Sequence, residues 1–146
     1  MLGYTFQFVQ YLLPARDENG KIIKLFPQKK KRGRKLHQYG KGAFCSFKIN
    51  APEIAGVYLW VLDNEILYVG RTKNLAQRFN NGYGRISVSN CYKGGTITNC
   101  RLNKALLNLY EQGKIIGLYF YKTRKYKAVE IKILKSIKTR LNIKNN

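Results

Sequence analysis

The sequence predicts an α+β fold in which a small antiparallel three-stranded sheet is flanked by helices. Two runs rich in β-branched and aromatic residues, Gly56 to Leu62 and Ile66 to Gly70, are separated by the turn residues Asp63-Asn64-Glu65, which is the pattern of a hairpin. Apolar residues recur at helical spacing in two later segments, and another apolar run lies between those segments. A chain of 146 residues accommodates these elements in one domain with an appendage.

The appendage is a basic, β-rich N-terminal extension over residues 1–52. Residues 4 to 12 alternate aromatic and aliphatic side chains with polar ones, which predicts a strand. Residues 21 to 26 are expected to return antiparallel to it after a turn. Ala51-Pro52 marks the boundary of the extension, so residues 53–146 form the second predicted domain.

The second domain continues beyond the hairpin with helices and one more strand. Asn74 is the expected N-cap of a first helix. Residues 80–98 form a Gly/Asn-rich loop that is too long to be a simple connection. A second helix is expected to end at Gly113, followed by a strand over residues 115 to 121 and a last helix over 128 to 138. The predicted order of this domain is β-β-α-α-β-α.

The chain carries a large excess of positive charge, with 28 Lys and Arg against 7 Asp and Glu and a formal net charge of +21. Such a surplus favours a polyanionic partner. Double-stranded DNA is our first expectation, because counterion release drives its binding to basic surfaces. The densest run, QKKKRGRK, is expected to be a solvated loop that contacts phosphates. Its candidate nucleic-acid-binding residues are Lys29, Lys30, Lys31, Arg32, Arg34 and Lys35.

An anionic membrane is the competing polyanion, but no apolar run approaches the roughly 18 residues that a membrane span needs. The apolar N-terminal stretch lacks the positive start of a signal peptide and is interrupted by Gln7 and Gln10. Three cysteines cannot all pair with one another, which fits a reducing compartment. We therefore expect an intracellular, cytoplasmic protein of prokaryotic or phage origin with no membrane partner.

The predicted hairpin places aromatic side chains on one surface. An odd-length turn centred on Asn64 sets Trp60 opposite Tyr68, with Tyr58 diagonal to Tyr68 on the same face. Aromatic pairs in strands usually serve packing, which is the ordinary interpretation of this pair. The neighbouring residues add a second interpretation, because Tyr58 ends a Gly-Val-Tyr and Tyr68 begins a Tyr-Val-Gly.

These motifs resemble the GIY-YIG nuclease family, which includes phage homing endonucleases, the incision subunit of bacterial excision repair and some restriction enzymes. Each tripeptide alone is a weak signal, and the resemblance rests on the order of the whole set within residues 55–142. The matching positions are Gly56-Val57-Tyr58, Tyr68-Val69-Gly70, Arg78, Glu130 and Asn142. The resemblance implies a GIY-YIG-like fold and a metal-dependent endonuclease.

The resemblance also implies roles for the catalytic candidates. Tyr58 would be the general base, and Tyr68 would hydrogen-bond the attacking water or the phosphate. A phenol with an ordinary pKa of about 10 is a poor base, and we expect the positive charge of Arg71 to favour its phenolate. Arg78 would bind the scissile phosphate through its planar set of donors.

Glu130 is the expected protein ligand of one divalent cation. It lies among lysines on a predicted helix, where a surface salt bridge is the ordinary interpretation. The resemblance instead makes it the single protein ligand of Mg²⁺ or Mn²⁺, with water and phosphate at the remaining positions. Asn142 would orient the backbone or a catalytic tyrosine.

The sequence departs from the family pattern after Arg78. Many members carry His or Tyr four residues later, where this chain has Gly82, followed by Tyr83. Tyr83 is therefore a substitute candidate for a catalytic role. The alternative interpretation is a tyrosine that packs against Arg85.

A structural Zn²⁺ ion is a further hypothesis. His37, Cys45, Cys91 and Cys100 supply a Cys3His set by composition. Their spacing lacks the CxxC knuckles that make such a prediction specific. Reduced cysteines without zinc are the interpretation that we favour.

Together these features predict a Mg²⁺- or Mn²⁺-dependent DNA endonuclease that leaves 5′-phosphate and 3′-hydroxyl ends. One site cuts one strand, so a double-strand break implies a homodimer or sequential nicking, and a restriction role is a hypothesis. Two alternatives stay open. A basic RNA- or ribosome-associated module would explain the charge and the 11 tyrosines. A nuclease of the PD-(D/E)xK type would use Pro52-Glu53 and Glu130-x-Lys132, which a long gap separates.

Overall fold

The structure, a computed structural model, describes residues 1–31 and 33–143. The fold is α+β, as predicted. The described residues form the strands β1 (Gln7–Leu12), β2 (Gly56–Leu62), β3 (Glu65–Thr72) and β4 (Ile116–Lys122), and the helices α1 (Leu75–Arg78), α2 (Ile97–Glu111) and α3 (Tyr126–Ser136).

The sheet has four antiparallel strands in the order β1-β4-β2-β3. The prediction of three strands is wrong in one respect, because β1 from the N-terminal extension pairs with β4. β1 satisfies the backbone groups that β4 would otherwise leave unpaired, and Leu12 is the residue of β1 that becomes buried. The remaining features agree with the GIY-YIG-like fold that the motifs imply.

The chain divides into two compact units, each made of separate stretches of sequence. The first unit contains the whole sheet with α1 and α3, and the second contains the basic run and α2. The first unit comprises Met1–Leu12, Ile49–Arg78 and Ile115–Asn146, and the second comprises Leu13–Lys48 and Phe79–Lys114.

This division differs from the boundary between residues 52 and 53 that the sequence predicts. β1 belongs to the sheet, so the extension does not form a unit of its own. The remainder of the extension pairs instead with the loop at residues 80–98, where the Lys93 N–H donates to the Lys35 carbonyl over 2.9 Å. The predicted return strand after the first turn is reduced to isolated bridges.

The β2–β3 hairpin has the predicted pairing at the tyrosines but not the predicted turn, because Leu62 pairs with Glu65 across a two-residue turn and the register shifts between Trp60 and Val61. Trp60 pairs with Tyr68, and Tyr58 pairs with Gly70. Because side chains alternate along a strand, Tyr58 and Trp60 share one face of the sheet. The prediction that places both motif tyrosines on this face is confirmed.

Helix α3 covers the opposite face of the hairpin. Val57 and Leu59 of β2 form a buried cluster with Val129 and Ile133 of α3. Full burial of such a side chain contributes roughly 1.5–3 kcal/mol. This packing fixes α3 against the hairpin and thereby determines where Glu130 lies.

Helix α1 follows β3 directly and begins at the predicted cap. The Gln77 N–H donates to Asn74 Oδ1 over 2.9 Å, which satisfies one of the free donors at the start of the helix. The Leu75 N–H donates to the Ile54 carbonyl over 2.9 Å. These bonds hold Arg78, the last residue of α1, one helical turn beyond β3.

Helix α2 ends where a glycine permits a left-handed backbone. Gly113 has a φ of 82°, and the Lys114 N–H donates to the Leu109 carbonyl over 2.9 Å. This arrangement satisfies a carbonyl that the helix itself leaves free. None of the helices in the described ranges has the length and apolarity needed to cross a membrane.

Candidate active site

The two motif tyrosines lie side by side on the sheet, with ring centroids 6.3 Å apart. The Tyr58 ring lies over Gly70, where an added Cβ would come within 2.6 Å of Tyr58 Cε1. Only glycine leaves room for such an approach. Since β3 is an edge strand, the ring extends from the sheet interior toward this edge. Tyr58 is 1% exposed, whereas Tyr68 is half-buried.

Arg71 and Glu130 form an ion pair on the other face. Arg71 Nη1 lies 3.4 Å from Glu130 Oε1, and the side chains are 41% and 16% exposed. The register pairs Arg71 with Val57, whose side chain packs against α3. Alternation therefore directs Arg71 toward α3 and away from the face of the tyrosine rings. The sequence interpretation assigned the charge of Arg71 to Tyr58, whereas this ion pair joins it to Glu130.

The Glu130 carboxyl is partly removed from water. Burial raises its pKa above the ordinary value, while the Arg71 guanidinium lowers it by a smaller amount. A carboxylate that is desolvated and has one cationic neighbour gains further stabilisation from a second positive charge. This environment suits a residue that binds a divalent cation.

The donor set near Glu130 is small. Across residues 1–31 and 33–143, no three or more His, Cys, Asp and Glu side chains are arranged to hold a metal ion. A single hard carboxylate, completed by water and substrate oxygens, is a coordination that Mg²⁺ accepts. The residues present therefore fit Mg²⁺ held by Glu130 alone, as the family resemblance implies.

Asn142 binds the edge of β3 through both ends of its amide. The Val69 N–H donates to Asn142 Oδ1 over 2.8 Å, and Asn142 Nδ2 donates to the Val69 carbonyl over 2.9 Å. The Leu141 N–H also donates to the Leu67 carbonyl over 2.9 Å. Residues before and at Asn142 thus run along the free edge of β3 and satisfy its backbone groups.

Thr139 fixes the orientation of that amide. Its Oγ1 donates to Asn142 Oδ1 over 2.5 Å and accepts the Asn142 N–H over 3.2 Å. Sequence reasoning missed this residue. The available signal was a threonine three residues before an asparagine, which is a spacing typical of local side-chain hydrogen bonds.

These contacts converge on three consecutive residues of β3. The backbone of Val69 is bonded by an amide side chain, Gly70 is covered by a phenol ring, and Arg71 is paired with a carboxylate. The three relationships are Asn142 with Val69, Tyr58 with Gly70, and Glu130 with Arg71.

The remaining two candidates are placed differently. Arg78 is half-buried at the end of α1, in the first compact unit. Tyr83 belongs to the second unit and is fully buried, with its ring 5.0 Å from that of Phe79. Its carbonyl accepts a 2.8 Å bond from Asn103 Nδ2. Because Tyr83 belongs to the other unit, its catalytic role stays a prediction, and the proposed site is built without it.

The basic run is attached to its own unit through its backbone. The Tyr92 hydroxyl donates to the carbonyl oxygens of Gln28 and Lys31. Arg34 Nη2 donates to the Lys93 carbonyl over 3.1 Å. The expectation of a solvated loop is therefore wrong for the main chain at Gln28 and Lys31, because the buried Tyr92 from another segment bonds their carbonyls.

The charged ends of this run still face solvent. Lys31 is half-buried, with Nζ 5.6 Å from the centre of the Tyr92 ring. Arg32 lies outside the described residues. The exposed members are Lys29, Lys30, Arg34 and Lys35.

The residues of the hypothetical zinc set have other partners. His37 accepts the Tyr39 N–H at Nδ1 over 3.1 Å, and Nε2 donates to the Asn90 carbonyl over 2.5 Å. Burial raises the pKa of Cys45 to about 12 and that of Cys100 to about 12. Thiols with such values stay protonated at neutral pH in the metal-free protein.

Comparison with curated proteins finds a similarity to UvrABC system protein C of Fusobacterium nucleatum subsp. nucleatum. The identity is 43% over 42 residues, which is 29% of this chain and 7% of that protein. The chain thus matches a small part of the length of this relative. No protein family and no solved structure matches the chain. The match is consistent with the GIY-YIG resemblance, over a stretch too short to establish membership.

Proposed function

We propose that this chain is a metal-dependent DNA endonuclease that leaves 5′-phosphate and 3′-hydroxyl ends. The observation that carries the proposal is that a phenol, a carboxylate and an amide each contact one of three consecutive residues of the edge strand β3, the phenol from one face of the sheet and the carboxylate from the other. The similarity to UvrABC system protein C supports a nuclease, because the family that the motifs resemble includes the incision subunit of bacterial excision repair.

Tyr58 is the proposed proton acceptor for the attacking water. Its hydroxyl lies against Gly70 of the edge strand β3, and because the side chain is 1% exposed, the proposal requires that bound substrate brings the water to it. Tyr68 is half-buried with its ring beside that of Tyr58, which supports the proposal that it hydrogen-bonds the same water. This assigns the proton transfer to residues on one face of the hairpin.

Glu130 is the proposed ligand of Mg²⁺ or Mn²⁺. The bound cation supplies neutralisation of the charge that develops on the phosphate oxygens. Arg71 compensates the Glu130 carboxylate in the free protein, and its 41% exposure leaves the guanidinium accessible to a phosphate. Arg71 therefore changes partner from the carboxylate to the substrate in this proposal.

Arg78 is the proposed clamp on the scissile phosphate. Arg78 is the last residue of α1, a helix that begins three residues after β3 ends. A planar guanidinium can donate two parallel hydrogen bonds to one phosphate, which orients the phosphorus for in-line attack. Asn142 acts indirectly, because it fixes the strand on which Gly70 and Arg71 lie.

The proposed substrate is double-stranded DNA, held through its phosphates by the exposed residues Lys29, Lys30, Arg34 and Lys35. Phosphate contacts supply affinity and register but little sequence preference. A homodimer would supply two sites for a double-strand break, and restriction of foreign DNA is the role that we propose for such a dimer. Both proposals rest on one site cutting one strand.

Nicking of supercoiled plasmid tests the proposal. We expect Mg²⁺-dependent conversion to open circles by the native chain, abolished by EDTA and reduced by at least about 100-fold in Tyr58→Phe and Arg78→Ala. Tyr121→Phe is the matched control and should cut normally. A chain that retards the plasmid on a gel but leaves it intact would be a binding module. Normal cutting by Tyr58→Phe would favour a PD-(D/E)xK mechanism.

A further inference from the structure

A second surface of the sheet carries exposed aromatic rings that the proposed nuclease site does not use. Phe8 and Tyr11 of β1 are 47% and 56% exposed. Phe8 contacts both Tyr11 and Tyr119 of β4, with ring centroids 5.0 and 5.3 Å apart. We call Phe8, Tyr11 and Tyr119 the aromatic strip. It lies at the β1 edge of the sheet, whereas the nuclease residues lie around β3, at the other edge.

A strand irregularity creates this strip. In a regular strand, residues 8 and 11 would point to opposite faces. The register shifts between Phe8 and Gln10, so Phe8 pairs with Tyr119 while Tyr11 pairs with Gly117. Both aromatic side chains therefore face the same way, as bulges allow. Gly117 leaves room for the Phe8 ring, since an added Cβ would lie 3.3 Å from it.

The strip has a basic group beside it on its own face of the sheet. Lys132 of α3 places Nζ 5.6 Å from the centre of the Tyr4 ring, on the face where Tyr119 packs against the α3 cluster. Phe8 also borders an open cavity of about 540 Å³, but Gln7 and Lys122 in its wall point to the opposite face of the sheet, the face of Tyr58. Aromatic rings for stacking beside an ammonium group for phosphates are a combination that binds single-stranded nucleic acids.

A second copy of this chain is the competing occupant. An edge strand invites pairing with another strand, and natural edges are usually protected by charged residues, which QFVQYL lacks. The net charge of +21 opposes self-association at this surface but attracts a polyanion. Charge complementarity therefore favours nucleic acid.

We propose that the aromatic strip binds single-stranded nucleic acid by stacking unpaired bases on Phe8 and Tyr11. This inference goes beyond the proposed nuclease and does not depend on it, because binding requires neither the tyrosines of the hairpin nor Glu130. For a nuclease, such a surface would hold a displaced or unpaired strand while the duplex is cut elsewhere on the sheet.

The test is fluorescence anisotropy of the full chain with labelled dT15 and U15, in EDTA so that no metal-dependent cleavage occurs. We expect the double variant Phe8→Ala/Tyr11→Ala to raise the Kd by about tenfold or more for the oligomer that the native chain binds more tightly, because each stacked base contributes substantially to the binding free energy. Phe8→Tyr/Tyr11→Phe retains both rings and should retain the affinity. Ile115→Ala, at a site 44% exposed, is the control for general loss of surface apolarity.

Two further readouts separate stacking from other effects. The salt dependence should be unchanged in the double alanine variant, whereas Lys132→Gln should flatten the slope by about 0.7 for a lost single-strand phosphate contact. The affinity of the double alanine variant for a 15-base-pair duplex should equal that of the native chain, since the bases of a duplex are already stacked on one another. Circular dichroism and the thermal midpoint establish that the variants fold.

The proposal is wrong if the double alanine variant binds both oligomers as tightly as the native chain. It is equally contradicted by a parallel loss of duplex affinity, or by a dimer in light scattering that dissociates in this variant while oligomer binding is unchanged. Plasmid nicking is measured separately. If the nuclease proposal fails, the oligomer-binding result still tests the aromatic strip, and if the strip proposal fails, the nicking result still tests the nuclease.

Discussion

Arg71 and Glu130 are joined by a 3.4 Å ion pair in which the carboxylate is the more buried partner. The pair sets the protonation of the proposed metal ligand, because burial raises the pKa of Glu130 and Arg71 counteracts part of that rise. A carboxyl group must be ionised to bind a metal ion. The pH below which cleavage is lost should therefore depend on the pKa of Glu130 and on its pairing with Arg71.

Arg71→Ala is predicted to move the acid limb of the cleavage–pH profile to higher pH. Removing the guanidinium leaves burial unopposed, so the pKa of Glu130 rises further and ionisation requires a higher pH. Arg71→Lys keeps the charge and should shift the limb less. The measurement is the rate of plasmid nicking at fixed Mg²⁺ against pH.

Arg140→Ala is the matched control, since Arg140 also pairs with a glutamate, Glu65, but at an exposed site. Its profile should follow that of the native chain. An acid limb that stays in place or moves to lower pH in Arg71→Ala would contradict the assignment of Glu130 as the titrating ligand.

The free energy of unfolding of Glu130→Gln is predicted to exceed that of the native chain by an amount that grows as pH rises. A folded-state pKa above the unfolded value means that the native state binds more protons, so native stability falls as pH rises from the unfolded to the folded pKa of this group. Glutamine does not titrate and lacks this fall. Urea unfolding across the acid and neutral range measures the difference.

The stability difference should be small at low pH, widen through that window and then level off. A variant that becomes less stable than the native chain over the same window would show that the ion pair outweighs burial. Such a result would reverse the inferred direction of the Glu130 shift.

Gly70→Ala is predicted to destabilise the protein by about 1–3 kcal/mol, because the new methyl group would displace the Tyr58 ring. Cleavage should fall as well, since the phenol is moved. In a Tyr58→Ala background the same substitution should cost much less, because the obstructing ring is absent. Urea denaturation of the four proteins gives the coupling energy.

Gly117→Ala in β4 is the control, since its added Cβ would meet the Phe8 ring only at 3.3 Å, a contact that a small movement of that exposed ring relieves. Equal effects of Gly70→Ala with and without the Tyr58 ring would contradict the close approach. The role of Gly70 would then lie in its backbone.

Asn142→Asp is predicted to lower both stability and cleavage, with a loss of about 1–3 kcal/mol in the unfolding free energy. A carboxylate can accept the Val69 N–H but has no donor for the Val69 carbonyl, which the Nδ2 group of Asn142 now satisfies. Thr139→Ala should have a milder effect in the same direction. Equal stability of Asn142→Asp and the native chain would show that this edge contact is not maintained in solution.

Lys29→Gln/Lys30→Gln is predicted to flatten the salt dependence of duplex binding. Each lost phosphate contact should reduce the slope of log K against log salt by about 0.9. Lys21→Gln/Lys114→Gln removes the same charge from exposed positions of the same unit and serves as control. An unchanged slope in the first variant, or an equal change in both, would show that the run does not contact the duplex.

Much of the fold followed from local patterns. The pairing of Trp60 with Tyr68 was predicted from an odd-length turn, whereas the structure reaches the same pairing through a two-residue turn and a register shift that the local pattern did not reveal. The cap at Asn74 and the helix end at Gly113 depend on local chemistry. Membership of β1 in the sheet could not be predicted in this way, because it depends on pairing with a strand more than 100 residues later.

The candidate site shows the same limit. Motif order identified Tyr58, Glu130 and Asn142, but their contacts with three consecutive residues of β3 depend on tertiary packing. The pairing of Arg71 with Glu130 was missed because the alternation of β3 was not combined with the position of α3. The backbone attachment of the basic run was missed because Tyr92 comes from a segment that gives no sequence signal for it.

Cleavage of an end-labelled duplex with Mg²⁺ by Glu130→Gln, compared with Glu65→Gln, is the most direct test of the proposed centre. Both substitutions remove one carboxylate that is paired with an arginine, but Glu65 belongs to the exposed pair with Arg140. We predict ligatable 5′-phosphate and 3′-hydroxyl ends from Glu65→Gln and no cleavage above background from Glu130→Gln. Undiminished cleavage by Glu130→Gln would contradict the account.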